Sequence, residues 1–138
     1  MERDHTAAED EAEIRRLVDA WAAAVRARDL DGVLARHSPD LLLFDVPPPL
    51  QGLGIDAYRR SWAPFYASFA GAVVFEVIDL RVTAGRDVAF CHGLIRCRAA
   101  EAGAAQAAPT VRLTVGWAKV DGRWTVVHEH HSEPIPNA

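Results

Sequence analysis

The segment "WTVVHEHHSEPIP", Trp124 to Pro136, gathers three of the chain's six histidines within four residues, next to a glutamate. Imidazole titrates near neutral pH and is also the commonest metal ligand. Three chemistries suit such a cluster: a metal centre, an acid–base site, or polar groups that satisfy one another at one end of a cavity. Residues two apart on a strand point the same way, so parity decides which side chains meet. Read as a regular strand, Trp124, Val126, His128, His130 and Ser132 share one face, and Thr125, Val127, Glu129 and His131 share the other.

The two preceding β-rich runs extend the first face. It collects His92, Arg96, Arg112, Thr114, His128 and His130, interleaved with Phe90, Leu94, Trp124 and Val126. Apolar walls with a few placed polar groups are the usual make-up of a ligand pocket. The alternative is a sheet face turned to water. His128 and His130 could chelate one metal with His92 as a third ligand. Arg112 on the intervening strand opposes a divalent cation there, and the spacing matches no familiar zinc or iron pattern. No metal or other cofactor is therefore expected, which leaves acid–base or ligand-binding histidines on one side and a structural polar network on the other. Glu129, His131 and Trp117 fall on the opposite face and are assigned to a subunit interface or to solvent.

These residues need elements to hold them. "TAAEDEAEIRRLVDAWAAAVRARD" opens with the capping-box pair Thr6 and Glu9, then repeats Ile14, Leu17, Val18, Trp21 and Val25 at helical spacing. "DLDGVLARHSPD" predicts a short second helix capped by Asp29 or Asp31 and stopped at Ser38-Pro39. "LLLFDV" predicts a short strand ended by Pro47-Pro48-Pro49. "GIDAYRRSWAPFYASFAG" predicts a third helix with Ile55, Tyr58, Trp62, Phe65 and Phe69 near one face, kinked or interrupted by Pro64.

From Val73 onward the period changes to two. "VVFEVIDLRVTA", "DVAFCHGLIRCRA", "TVRLTVGWAKV" and "RWTVVHEHHS" predict four antiparallel strands in sequence, with Asp121-Gly122 as a hairpin turn and "AEAGAAQAAP" as a longer loop. Helices ahead of an antiparallel sheet make an α+β domain with the helices on one sheet face.

At 138 residues, half of them hydrophobic, residues 1–138 are expected to form one compact domain. A net charge of −4 with both signs scattered gives no basic stripe, so no nucleic-acid partner is expected. Charges interrupt every apolar run well before the roughly 20 residues of a membrane span, and "MERDHTAAEDEAE" is unlike a signal peptide, so a cytoplasmic protein with no membrane partner is expected. Cys91 and Cys97 lie on one strand, about 20 Å apart at roughly 3.3 Å per residue, and cannot pair with each other there; they read as buried core.

The closing "DGRWTVVHEHHSEP" resembles the G-x-W-x-[IV]-x-H-x-H-x-S segment of SnoaL-like proteins in the nuclear transport factor 2-like superfamily. "DLDGVLARHSPDLLLFDVPPPLQGLGIDAYRRSW" is similar to the matching stretch of SnoaL-like and ketosteroid isomerase-like members, so the resemblance covers nearly the whole chain. It implies a cone-shaped, strongly curved sheet around a pocket, long helices across its mouth, and frequently a homodimer. Members include steroid isomerases, polyketide cyclases, epoxide hydrolases, dehydratases and non-catalytic binding or assembly domains, so the fold alone does not select an activity.

The resemblance also assigns residues. Asp45 stands sixteen positions after Asp29 and before Val46-Pro47, the setting of the catalytic base in the ketosteroid isomerases. In that role Asp45 would take a proton alpha to a carbonyl and return it elsewhere, with apolar neighbours lifting its pKa; its other reading is a cap on the turn into the prolines. The isomerase oxyanion hole is altered, with Trp21 at the tyrosine position and Thr114 near the acidic sheet position. His128, His130 or Arg112 would then stabilise a developing enolate. Trp21, Phe44, Tyr58, Trp62 and Phe65 would form the aromatic wall, or simply the core. The implied ligand is a small, mostly apolar, carbonyl-bearing molecule, bound by a cofactor-independent enzyme or by a non-catalytic module of the same fold.

Overall fold

The computed structural model describes residues 5–100 and 108–136. Helix α1 (Ala7–Ala27) starts at the expected capping box: the Thr6 hydroxyl accepts from the Glu9 amide at 3.1 Å and the Glu9 carboxylate from the Thr6 amide at 3.2 Å. Its apolar stripe buries Ile14, Val18, Trp21, Ala22 and Val25. Asp10 is buried with them, accepting from the Trp124 indole at 3.0 Å and from Lys119 at 3.3 Å, which ties the first turn of the helix to the sheet.

Helix α2 (Leu30–Leu34) is capped by Asp29, whose side chain accepts from the Gly32 amide. It is shorter than the run to Ser38-Pro39 predicts, because Arg36 takes a left-handed φ of 62° and turns the chain straight into strand β1 (His37–Phe44). Pro39 thus lies inside a strand. It sits where pairing with the last strand is interrupted between His37 and Leu42, a place that tolerates a residue with no N–H. Strand β2 (Gly52–Leu53) pairs with the end of β1, and helix α3 (Ile55–Ala67) continues past Pro64 for one further turn.

Strands β3 (Val73–Ala84), β4 (Val88–Ala99), β5 (Val111–Val120) and β6 (Arg123–Ser132) form the expected antiparallel meander. Asp121 and Gly122 both have positive φ, the geometry of a two-residue hairpin turn. β1 then adds alongside β6 in parallel, giving a curved, unclosed six-stranded sheet in the order β2-β1-β6-β5-β4-β3. Most of the predicted "AEAGAAQAAP" loop lies outside the described residues.

Two bulges decide which side chains face the helices. On β3, Ile78 pairs with Leu94 and Arg81 with His92, so one extra residue is accommodated at Asp79-Leu80 opposite Gly93. The inward set changes from Val73, Phe75 and Val77 to Leu80, Val82 and Ala84. A Cβ on Gly93 would stand 3.1 Å from the Ile78 carbonyl oxygen, so the bulge is pressed against a residue without a side chain. On β6, Gly116 pairs with His128 and Trp117 with Val126, which leaves Val127 as the extra residue.

The core lies between α1, α3 and the inner face of β4–β6, made of Cys91, Ile95, Leu113, Val115, Trp117, Trp124 and Val126. Trp117, expected at an interface, belongs to this core: it is buried and donates its indole N–H to Cys91 Sγ at 3.3 Å. Cys91 is fully buried as expected, whereas Cys97 is only partly so.

Candidate functional site

The β6 bulge reassigns the histidines. Trp124 and Val126 face inward, Val127 is exposed, and the inward series resumes at Glu129 and His131. His128 and His130 point to the outer face, because the extra residue shifts the phase of the strand by one. The expected grouping of His128 and His130 with a pocket is therefore corrected, and so is the placement of Glu129 and His131 at a surface.

The other strands follow the same division. His92 and Thr114 are exposed on the outer face, Arg112 bonds to Ser132 Oγ there at 3.0 Å, and Arg96 pairs with Glu76 at 3.2 Å. Phe44 is also on this side, since Leu41 and Leu43 take the inward positions of β1. Its ring centroid lies 4.8 Å from that of His128 and 5.3 Å from that of His130. His128 hands its Nδ1 to the Leu42 carbonyl at 2.8 Å. Phe44, His92, Arg96, Arg112, Thr114, His128 and His130 thus do not line the inner cavity. Among the described residues no group of three or more histidines, cysteines or carboxylates is placed to hold a metal ion.

What the structure does bring together on the inside is a chain of polar groups. Glu129 is 2% exposed, and its Oε1 accepts from the Tyr58 hydroxyl at 3.1 Å and meets His37 Nε2 at 3.0 Å. Tyr58 in turn accepts from the Trp21 indole at 2.9 Å. Glu129 Oε2 faces His131 Nε2 at 2.8 Å, off the straight line of an ideal N–H bond. His131 Nδ1 then lies 3.3 Å from Asp45 Oδ1, which also accepts from the Val46 amide at 2.8 Å. Asp45 sits one residue past β1, brought beside His131 by the parallel pairing of β1 with β6.

The electrostatics follow from this contact order. Burial by itself would raise the Glu129 carboxyl, but the hydrogen bonds and charge of His131 and His37 outweigh it and bring it down to about 2. Burial would lower His131, but bonding to Asp45 and Glu129 and their charge push it up to about 9. Tyr58 is driven well above the usual phenol value by burial and then by the Glu129 charge.

Asp45 and His131 stand at the wall of a cavity of about 490 Å³. Trp62, Phe65, Phe69, Phe75, Ile95 and Val111 supply its apolar lining, and Cys97, Ser61, Thr110 and Glu133 add polar atoms. A second, smaller cavity of about 50 Å³ touches Trp21, His37 and Glu129, on the α1 side of the network. Of the side chains expected here, Asp45, Trp62 and Phe65 line the large cavity, while Trp21 and Tyr58 form the layer behind it. Glu129 and His131 are the residues that parity set on the wrong face, and His37 lay in the run read as the second helix.

The sequence model of the SnoaL-like domain matches residues 14–136. A nuclear transport factor 2-like protein of unknown function from Pseudomonas putida KT2440 has the same fold, with a TM-score of 0.84 and 36% identity over 96% of this chain and 92% of its own. A candidate dehydratase of the same superfamily from Streptomyces avermitilis superposes with a TM-score of 0.77 at 15% identity, covering 95% of this chain and 100% of its own. A candidate calcium/calmodulin-dependent protein kinase II association domain from Xanthomonas campestris gives 0.70 at 19% identity, over 91% and 88%. The last two likenesses show the fold alone. No curated protein matches the chain.

Proposed function

The chain belongs to the SnoaL-like domain family of the nuclear transport factor 2-like superfamily, and on that footing we propose that it is a single-domain pocket protein that moves protons on a small, uncharged, mostly apolar carbonyl compound. The observation that carries this reading is the Asp45–His131 contact of 3.3 Å on the wall of the 490 Å³ cavity. Asp45 is the base. It takes a proton from the carbon alpha to the carbonyl, becomes the neutral acid, and returns that proton to another atom of the same substrate. Such a step needs neither an oxidant nor a cofactor.

His131 replaces the outer-face residues His128, His130 and Arg112 as the positive partner. Held between two carboxylates, it places a cation where negative charge would develop on the substrate. The carbonyl compound is uncharged in this reading because no lysine or arginine is among the described residues lining the cavity, whereas Asp45 and Glu133 are. Isomerisation, cyclisation and dehydration all begin with this proton transfer, and one of them follows from the substrate bound.

The test is hydrogen exchange in D₂O with a panel of uncharged apolar ketones and aldehydes, read by NMR. Wild-type protein should bind members of the panel and catalyse exchange at the alpha carbon, and Asp45→Asn should bind them without catalysing it. Equal exchange by both proteins, or no binding of any member, would sink the reading.

The second reading, an assembly module that binds without catalysis, draws on the outer sheet face. Phe90 is 48% exposed there and Val88, Val127 and His92 are exposed around it, which suits a face covered by a second copy. Light scattering of wild type against Phe90→Glu tests the homodimer: a change from dimer to monomer supports it, and a wild-type monomer removes it. Among the described residues no helix is long and apolar enough to cross a membrane.

A further inference from the structure

Resting on the reading of Asp45 and His131 as the reactive pair, we infer that Glu129 is the positioning residue of that pair. Its buried carboxylate fixes the His131 ring with both nitrogens protonated, so that Nδ1–H is presented to Asp45 and Asp45 faces the cavity as an anion.

His131 has a carboxylate at each ring nitrogen, Asp45 at Nδ1 and Glu129 at Nε2. A neutral imidazole has one N–H, so it would leave one nitrogen lone pair against a carboxylate, and only the doubly protonated ring can meet both. His37 repeats the pattern on the far side of Glu129: its Nδ1 meets the Ala35 carbonyl at 2.9 Å and its Nε2 meets Glu129. Carboxylates and imidazole rings thus alternate along Asp45–His131–Glu129–His37, with Glu129 Oε1 hydrogen-bonded on the His37 side and Oε2 in an off-line ion pair on the His131 side.

Such a buried alternation is stable only as a unit. Removing one member leaves an uncompensated charge, the costly outcome, so each end of the chain stabilises the protonation state of the other. Among the described residues, the titratable groups that act on His131 are Glu129 from its own strand β6 and Asp45 from the segment after β1. Those facing Glu129 are His131, His37 at the start of β1, Tyr58 from α3, and Cys91 from β4, whose thiol feels the Glu129 charge. Tyr58 and His37 grip Oε1 and leave Oε2 for His131, which sets the carboxylate plane.

The arrangement also explains why Asp45, and not His131, is the base. A ring that already carries both protons has no lone pair to offer. The ring instead holds Asp45 Oδ1 at 3.3 Å beside the cavity, where the substrate would supply the proton. Glu129 itself touches the 50 Å³ cavity and not the large one, so it acts through His131.

The experiment is a titration of ¹⁵N-histidine-labelled protein by NMR, with no substrate present. In wild type both His131 nitrogens should keep the shifts of protonated imidazolium past pH 8. Glu129→Gln should lower the His131 midpoint by roughly two units, the scale of losing one close opposite charge. A wild-type His131 that titrates near 6.5, or one whose midpoint is unmoved in Glu129→Gln, overturns the inference. Should Glu129→Gln fail to fold, the wild-type titration alone decides. Deuterium exchange on the ketone panel separates the two ideas: a protein that binds no ketone yet keeps a charged His131 loses the catalytic reading and not the positioning one, and the reverse result loses only the latter.

Discussion

Asp45 Oδ1 and His131 Nδ1 stand 3.3 Å apart because Val127, four residues before His131, has no partner on β5. Were Val127 paired as in a regular strand, the face carrying Trp124 and Val126 would continue into His128 and His130, and His131 would turn to the opposite face from Asp45. The site is thus a product of strand phase as much as of composition.

Stability should follow the two shifted groups of the inner chain. Glu129 is lowered from 4.5 to about 2, so its contribution is present above pH 4.5 and is lost as pH falls toward 2. His131 is raised from 6.5 to about 9, so its contribution is full below pH 6.5 and is lost as pH rises through 9. Thermal melts across pH should therefore show a maximum between these limits, near pH 4.5 to 6.5, with Tm falling on both sides. A flat profile from pH 6 to 9 would contradict the assignment of His131.

Tyr58→Phe removes a hydroxyl that donates to the buried Glu129 carboxylate and accepts from Trp21. Bonds to charged groups are worth about 1.5–3 kcal/mol, and the ring itself stays packed, so urea unfolding should show a loss of about that size with an unchanged m-value. A loss below about 0.5 kcal/mol would mean that the hydroxyl is not shared as described.

The face assignment predicts a contrast between neighbouring histidines. His128→Ala with His130→Ala should leave the affinity of a cavity ligand within about twofold, since that is under 0.5 kcal/mol. His131→Ala should abolish exchange at the alpha carbon of the same ligand. Equal effects from the two changes would restore the regular-strand phase for β6.

The two cysteines give an independent probe of the cavity. Both thiols are pushed up to about 11, chiefly by burial, but Cys91 is fully covered and Cys97 borders the 490 Å³ space. An uncharged thiol reagent should modify Cys97 in the native protein and Cys91 only on unfolding, and a bound ketone should protect Cys97. Modification of Cys91 first would place the open space elsewhere.

How much of this was legible in the chain differs by level. The capping box, the Asp29 cap, the meander and the Asp121-Gly122 turn all rest on local rules, and they stand. β2 was not legible, since two residues carry no period. The β3 bulge could have been read, because Val73, Phe75 and Val77 followed by Leu80, Val82 and Ala84 is a visible slip in an apolar series. The β6 bulge could not be read that way, because past Val126 the inward residues are polar and a phase slip leaves no apolar trace. A mixed face of histidines and arginines then reads as a pocket when it is the outside of the sheet. The better signal was Glu129, a carboxylate between histidines whose burial demands partners, but partner positions on β1 and α3 come only from the fold.

The bulge at Asp79 has a bearing beyond the cavity. β3 ends the sheet on one side, and a flat twelve-residue edge is a template on which another chain can add itself. Asp79 breaks that template into a run ending at Ile78 and a shorter one beginning at Arg81, with a charged side chain and a left-handed backbone at the break. A foreign strand can follow either piece, but its register is lost in crossing to the next. The residue that rephases the inner face of β3 also makes its outer rim a poor seed for fibrils.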